Sequence, residues 1–182
     1  MLIFMEFPHL KNKLVLAPML EYTDYGFRKL CNKYGCELTF TEMMPAVSIA
    51  RNNKAALKLF DVHADEKLIA LQLFGQNEND FFEAAKRFVD KISIIDINCG
   101  CSVKRILNQG AGAALLKRKN QIIKIIEKLK TLNKPITVKL RIGPTKEKFI
   151  ELCKAIEKAG ASAITIHART VKQGFSGKAD WE

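Results

Sequence analysis

The chain has 182 residues, 48% of them hydrophobic, which suffices for one domain with a substantial core and excludes a disordered chain. With 30 lysines and arginines against 19 acidic residues the formal charge is +11, which favours a polyanion such as nucleic acid as partner, a solvated lysine-rich surface being the plain alternative. The 5 cysteines lack CxxC spacing, which argues against a secreted disulfide framework or a zinc ribbon and for a reducing, cytoplasmic setting.

Met1 to Met5 is apolar but soon meets Glu6 and Pro8, with no basic leader or cleavage site, so no targeting segment is expected. Nor does any apolar stretch approach the ~20 residues of a membrane span. A strand is expected at 14–19, ending in Ala17-Pro18-Met19, then a helix at 25–34 stopped by Gly35. Strands follow at 37–43 and 68–74, a helix at 80–90, a strand at 92–98, and a helix at 120–132 ended by Asn133 and Pro135. The last elements are a strand at 136–142, a helix at 147–159 before Gly160, and a strand at 163–167.

Such alternation predicts βα units, a parallel sheet and charged helices outside it. An open doubly wound sheet would gather its ligands near one switch point. Here Gln72, Asn98, Lys139, Arg141, His167 and Arg169 fall at or just after the ends of four different strands. That distribution favours a TIM-type (β/α)8 barrel, apparently truncated after about six βα units. No GxGxxG or GxxxxGK[ST] phosphate motif is present.

Asp96-Ile97-Asn98-Cys99-Gly100-Cys101-Ser102 ends an apolar strand in reactive residue types, at the place where a barrel keeps its active site. Cys101 can serve there as general acid or nucleophile, with Cys99 the structural thiol. A CxC pair without matching ligands elsewhere does not make a metal site. Pro18 and Met19 offer a backbone and a soft thioether to a flat ring. Gln72 sits inside an apolar strand, where its amide needs a partner, either the backbone or the atoms of a flavin ring. Lys139 and Arg141 alternate in Thr137-Val138-Lys139-Leu140-Arg141 and so share a face. There Lys139 can balance the negative charge of a reduced flavin, or simply pair with an acidic neighbour. His167 and Arg169, accompanied by Thr170 and Gln173, can hold phosphate oxygens of flavin or substrate.

These segments, taken in order, resemble the tRNA-dihydrouridine synthase family over almost the whole chain. The resemblance runs through Ala17-Pro18-Met19, Thr23-Asp24, Phe27-Arg28, Thr41-Glu42-Met43, Leu71-Gln72-Leu73-Phe74-Gly75 and Asp96-Ile97-Asn98-Cys99-Gly100-Cys101. It continues in Lys104, Gly110-Ala111-Gly112-Ala113-Ala114-Leu115-Leu116, Val138-Lys139-Leu140-Arg141-Ile142-Gly143, His167-Ala168-Arg169-Thr170 and Gly177-Lys178-Ala179-Asp180-Trp181. It implies an FMN-dependent enzyme that reduces the C5–C6 double bond of uridines in tRNA, with NADPH or NADH reloading the flavin. Hydride would pass from flavin N5 to uracil C6, and a cysteine would protonate C5.

Carried onto this chain, the resemblance makes Cys101 the acid, with Asn98 beside the substrate. Pro18, Met19, Leu20, Gln72, Lys139 and His167 match flavin-binding positions, and Arg141 and Arg169 are contacts to flavin or RNA. An ordinary thiol, with pKa ~8.5, is mostly protonated at neutral pH, as a proton donor must be. Uridine would have to leave the tRNA stack to reach a barrel mouth. Lys117-Arg118-Lys119, with Lys124, Lys128 and Lys130, can hold RNA phosphates.

Two departures stand out. Ser102 follows Cys101 where the family usually has proline. The chain also stops at Glu182, where the family would continue with two more barrel strands, phosphate-binding loops and a C-terminal helical RNA-binding domain. Residues 1–182 are thus expected to form an incomplete FMN-binding barrel domain. Two alternatives are an FMN barrel oxidoreductase acting on a free pyrimidine, and a non-catalytic RNA-binding or assembly fragment.

Overall fold

In the computed structural model, which describes residues 5–143 and 145–182, six parallel strands form one sheet. The opening Met1 to Phe4, read above as carrying no leader, lies outside the described residues. In chain order the elements are α1 (Tyr25–Lys33), β1 (Thr39–Phe40), β2 (Met44–Pro45), α2 (Ala46–Ala50), α3 (Lys54–Lys58), β3 (Ile69–Phe74) and α4 (Glu78–Phe88). They continue as β4 (Ile94–Cys99), α5 (Lys104–Asn108), α6 (Lys119–Leu129), β5 (Ile136–Arg141), α7 (Lys146–Ala159) and β6 (Ala163–His167).

Strand order follows chain order, β1-β3-β4-β5-β6, with β2 pairing with the far end of β3 through Met44 and Leu73. This progressive winding belongs to the (β/α) barrel, since a doubly wound sheet reverses its strand order partway. β1 and β2 lie along one edge of β3, so among the described residues the ladder has five strand positions, with the Val15 bridge beside Leu38 marking a sixth, and forms part of a TIM-type barrel.

Period-2 alternation gives the sheet two unlike faces. Leu71, Leu73, Ile95, Ile97, Cys99, Ile136, Val138 and Leu140 point outward into one core with Phe81, Ala85, Ile122, Ile125, Ile126 and Ile156 of the covering helices. On the inner face a small cluster of Leu38, Phe40, Ala70 and Ile94 closes the end where the strands begin. Beyond it the inner face is largely polar, with Gln72, Asp96, Asn98, Thr137, Lys139, Arg141 and His167.

Helix boundaries obey local chemistry. Asp24, Asn77 and Thr145 cap α1, α4 and α7 by accepting backbone N–H bonds from Phe27, Asn79 and Lys148. At the far end of α7, Gly160 adopts φ +108, and a Cβ there would come within 2.8 Å of the Lys130 ammonium. Asn133 makes the left-handed turn before β5, at φ 53.

Three expectations are corrected. The strand at 14–19 contracts to a single bridge between Val15 and Leu38. Its Leu14 and Val15 are 54% and 44% exposed, so burial adds little to a ladder paired on one side only. The run 37–43 narrows to β1, after which the Thr41 hydroxyl, in place of a backbone carbonyl, accepts the Gln72 N–H at 3.1 Å, and pairing resumes only at β2, beyond that run. Three five-residue helices, α2, α3 and α5, occupy segments without a helical forecast. Such lengths are too short to show a 3.6-residue period.

Candidate active site

Strand register stacks the inner polar side chains in tiers. Gln72, Asp96 and Thr137 are neighbours across β3, β4 and β5, and one tier higher Asn98 lies beside Lys139 and Thr165. Arg141 and His167 form the tier at the mouth. Asp96 is fully buried, and its two carboxylate oxygens accept the Gln72 amide at 2.6 Å and the Thr137 hydroxyl at 2.5 Å. Burial pushes its pKa up to about 7, against the downward pull of those two hydrogen bonds and of the Lys139 charge.

Asn98 carries this chain of bonds upward. Its Nδ2 donates to Gln72 Oε1 at 2.9 Å and lies 3.6 Å from Met43 Sδ, while its Oδ1 accepts the backbone N–H of Gly100 and Cys101 at 3.1 and 2.9 Å. The Cys101 carbonyl in turn accepts the Ala113 N–H at 2.9 Å. Gly112 permits that approach: its φ is +60, and a Cβ there would stand 2.7 Å from the Cys101 oxygen. Cys101 is thus gripped through its backbone, and the residue is only partly buried. Cys99 faces the opposite way and is wholly buried among the helices, where burial above all, and then the Asp96 charge, raise its thiol pKa.

Lys139 is half-buried and has no hydrogen-bonding or ion-pair partner among the described residues. Burial lowers its pKa, the Asp96 carboxylate opposes that shift, and Arg141 adds to it. Arg141 is 2% exposed and clamps two loops, Nε donating to the Gly100 carbonyl and Nη1 to the Gly174 carbonyl, each at 2.7 Å. The Phe175 ring centre lies 5.5 Å from its guanidinium carbon.

His167 titrates below its usual range, through burial first and then the cations Arg141, Lys139 and Arg169. Its Nε2 lies 3.3 Å from Arg169 Nη1. A guanidinium only donates, so the neutral imidazole keeps its hydrogen on Nδ1. Arg169 also donates to the Gly177 carbonyl through Nε and Nη2, at 3.2 and 3.0 Å.

Pro18, Met19 and Leu20 follow the Val15 bridge at the same strand-exit end of the sheet. Their turn is tied by Thr23, whose hydroxyl accepts the Met19 N–H at 3.1 Å and whose own N–H reaches the Met19 carbonyl at 3.0 Å. Met19 and Leu20 are 39% and 48% exposed, so the turn presents apolar surface.

The inner face thus unites Gln72, Asn98, Lys139, Arg141 and His167, with Cys101 above them. Asn98 Nδ2 and Oδ1, and Arg141 Nε and Nη1, are engaged with internal partners, so both residues also brace the Cys101 loop. The Gln72 side chain finds its protein partners in Asp96 and Asn98, not in the backbone.

Sequence reading passed over Asp96, Thr137 and Gly112. The first two were detectable, because each lies two residues before a candidate on the same strand and shares its face. Gly112 gave only its glycine. Of the basic run, Lys119 pairs with Glu151, Arg118 donates to Gln76, Lys128 lies over the Phe82 ring and Lys130 donates to the Ala159 carbonyl. Lys117 and Lys124 remain exposed. No helix of the described residues is long and apolar enough to cross a membrane.

Fold and site together define a (β/α)-barrel protein whose chemistry-bearing side chains converge at the strand-exit mouth. The chain belongs to the dihydrouridine synthase (Dus) family, whose family model matches residues 15–182. It is 38% identical over 177 residues to a probable tRNA-dihydrouridine synthase of Aquifex aeolicus, covering 94% of this chain and 56% of that protein. It is 36% identical over 178 residues to tRNA-dihydrouridine synthase B of Pasteurella multocida, covering 95% of this chain and 53% of that protein. The chain spans about half the length of the curated relatives it matches. Among solved structures, a truncated 3-deoxy-D-arabino-heptulosonate 7-phosphate synthase from Thermotoga maritima aligns with TM-score 0.48 and 16% identity, over 86% of this chain and 52% of that one.

Proposed function

We propose that this chain forms the catalytic, FMN-binding barrel portion of an enzyme that reduces uridine in tRNA to 5,6-dihydrouridine. One observation carries the reading: Cys101, only partly buried, is held by its backbone above an inner face bearing Lys139 without a partner among the described residues.

The donor set fits an electron-rich flat ring. Lys139 offers an ammonium, His167 an Nδ1–H, and Pro18, Met19 and Leu20 an apolar wall. Gln72 stands beneath them, and its amide supports the floor through Asp96 and Asn98. When bound, FMN supplies hydride to uracil C6, with NADPH or NADH as the reductant that restores it.

Cys101 donates the thiol proton to uracil C5, leaving a thiolate that is reprotonated from solvent. Lys139 would help hold the ring and oppose negative charge on it. Asn98 and Arg141 hold the Cys101 loop from two sides, through the Gly100 and Cys101 N–H groups and the Gly100 carbonyl. Arg169, with exposed cations such as Lys117 and Lys124, attracts the RNA backbone. The longer relatives have room for further barrel units and a helical RNA-binding domain, and the setting proposed is the cytoplasm.

The test uses the full-length gene product. Flavin absorbance after purification and NADPH-dependent reduction of uridine in unmodified tRNA are expected. Protein without flavin that leaves tRNA uridine intact would sink the proposal. Reduction of free uracil derivatives in preference to tRNA would move the substrate to a free pyrimidine.

A further inference from the structure

We propose that Asp96 is a positioning residue: it fixes the hydrogen-bond polarity of the inner face, and through Gln72 and Asn98 it fixes the seat of Cys101. This rests on the reading of Cys101 as the proton donor.

Donors and acceptors are paired in one sense along this chain of bonds. The N–H groups of Gly100 and Cys101 can only donate, so Asn98 must turn its Oδ1 toward them. Its Nδ2 then faces Gln72, whose Oε1 must accept. That turns the Gln72 Nε2 toward Asp96, where only an acceptor is compatible. Each amide is locked because its neighbour is locked, and Asp96 is the acceptor at which the chain ends.

Without that acceptor, the Gln72 amide loses its reason to keep one orientation. A flipped Gln72 would set an N–H against the Asn98 Nδ2, and a flipped Asn98 would set an N–H against that of Cys101. Such mismatches in a buried site cost as much as unmade hydrogen bonds. The loop bearing the thiol would then shift or lose its grip.

Titration leaves this polarity intact. Thr137 can accept as well as donate, so a proton on Asp96 Oδ1 points at its hydroxyl, and Oδ2 still accepts from Gln72. Lys139 is the cation whose charge bears on Asp96. Asparagine can reproduce the same pattern, with Oδ1 toward Gln72 and Nδ2 toward Thr137. Alanine cannot.

The experiment compares Asp96→Ala and Asp96→Asn in the full-length protein. Uridine reduction in tRNA is followed together with the rate at which iodoacetamide alkylates Cys101, resolved by mass spectrometry. Asp96→Ala should lower kcat by about 10²-fold, the scale of an ångström's misplacement of a reacting group, with KM for tRNA little changed. Its Cys101 alkylation rate should depart from wild type, and Asp96→Asn should restore both readouts to within a few-fold.

Thr39→Val, which removes a buried hydroxyl that has no partner, controls for general disturbance of the sheet and should leave both unchanged. Should Asp96→Ala fail to fold, Gln72→Met cuts the same chain one link nearer the thiol, at nearly constant side-chain length. It should alter Cys101 alkylation in the same way. Wild-type kcat and alkylation in Asp96→Ala overturn the proposal, as does Gln72→Met with wild-type alkylation. So does an Asp96→Asn variant as impaired as Asp96→Ala, which would assign the role to charge. If wild-type protein reduces no uridine, the proposed function fails, while the alkylation arm still decides the role of Asp96.

Discussion

The two faces of this sheet solve opposite problems with adjacent residues. Outward, Ile95, Ile97 and Cys99 vanish into a core made with α4, α6 and α7, where stability comes from excluding water. Inward, Asp96 and Asn98 are also buried, yet they carry polar atoms whose desolvation is offset only by an ordered set of hydrogen bonds. A shift of one residue along β4 therefore moves from a site that tolerates any apolar shape of the right volume to one that tolerates a single donor–acceptor pattern. The inner face thereby holds a fixed arrangement of hydrogen bonds beneath Cys101.

The largest effect expected is on the thiols that straddle this divide. Cys101→Ala should retain flavin absorbance and lose roughly 10²–10⁴-fold in uridine reduction, the usual contribution of a proton donor. Cys99→Ala, on the helix side, should keep most of the activity. Equal losses in the two variants would erase the distinction between the faces.

Next comes Ile97→Ala, which empties space in the outer core between the inward-facing Asp96 and Asn98. Urea unfolding should show a loss of about 2–5 kcal/mol, typical of a large-to-small core change. The protein that remains folded should turn over normally. A drop in turnover comparable to that of an inner-face variant would show the faces to be coupled.

A smaller effect is expected from pH. The Asp96 pKa in the folded state, about 7, lies above the ~3.9 of an unfolded aspartate. Stability tied to the protonated form is thus fully present below ~4 and is lost as pH rises through about 7. Asp96→Asn has no such titration. Its Tm relative to wild type should climb between pH 4 and 7 and then level off; a difference that shrinks with rising pH would contradict the burial argument. The smallest effect belongs to Thr39→Val, where loss of an unpartnered buried hydroxyl should raise stability by up to ~1 kcal/mol in urea titrations.

Much of this architecture was legible in the chain. Strong periodicity placed β3, β4, β5, β6 and their helices to within a few residues, because long amphipathic segments carry their own evidence. The first strand was overstated: apolar runs look alike whether or not a neighbouring strand pairs with them, and Leu14 and Val15 lack cover. At the site, residue types at strand ends pointed to Gln72, Asn98, Lys139, Arg141 and His167, and the geometry brought them together. Their roles were less legible. Arg141 reads from the chain as a contact to flavin or RNA, and only the fold shows that it also bonds the Gly100 and Gly174 carbonyls.

The sequence by itself determined the βα alternation, the family and the segment that holds the proposed proton donor, since each of these is written in local pattern and residue order. Tertiary structure decided which polar groups are partners and which remain free. Donor and acceptor pairing depends on strand register: Gln72 meets Asp96 and Asn98 across 24 and 26 residues of chain, and Thr137 meets Asp96 across 41. Only when the sheet closes those distances does Asp96 become the end of a hydrogen-bonded chain beneath Cys101.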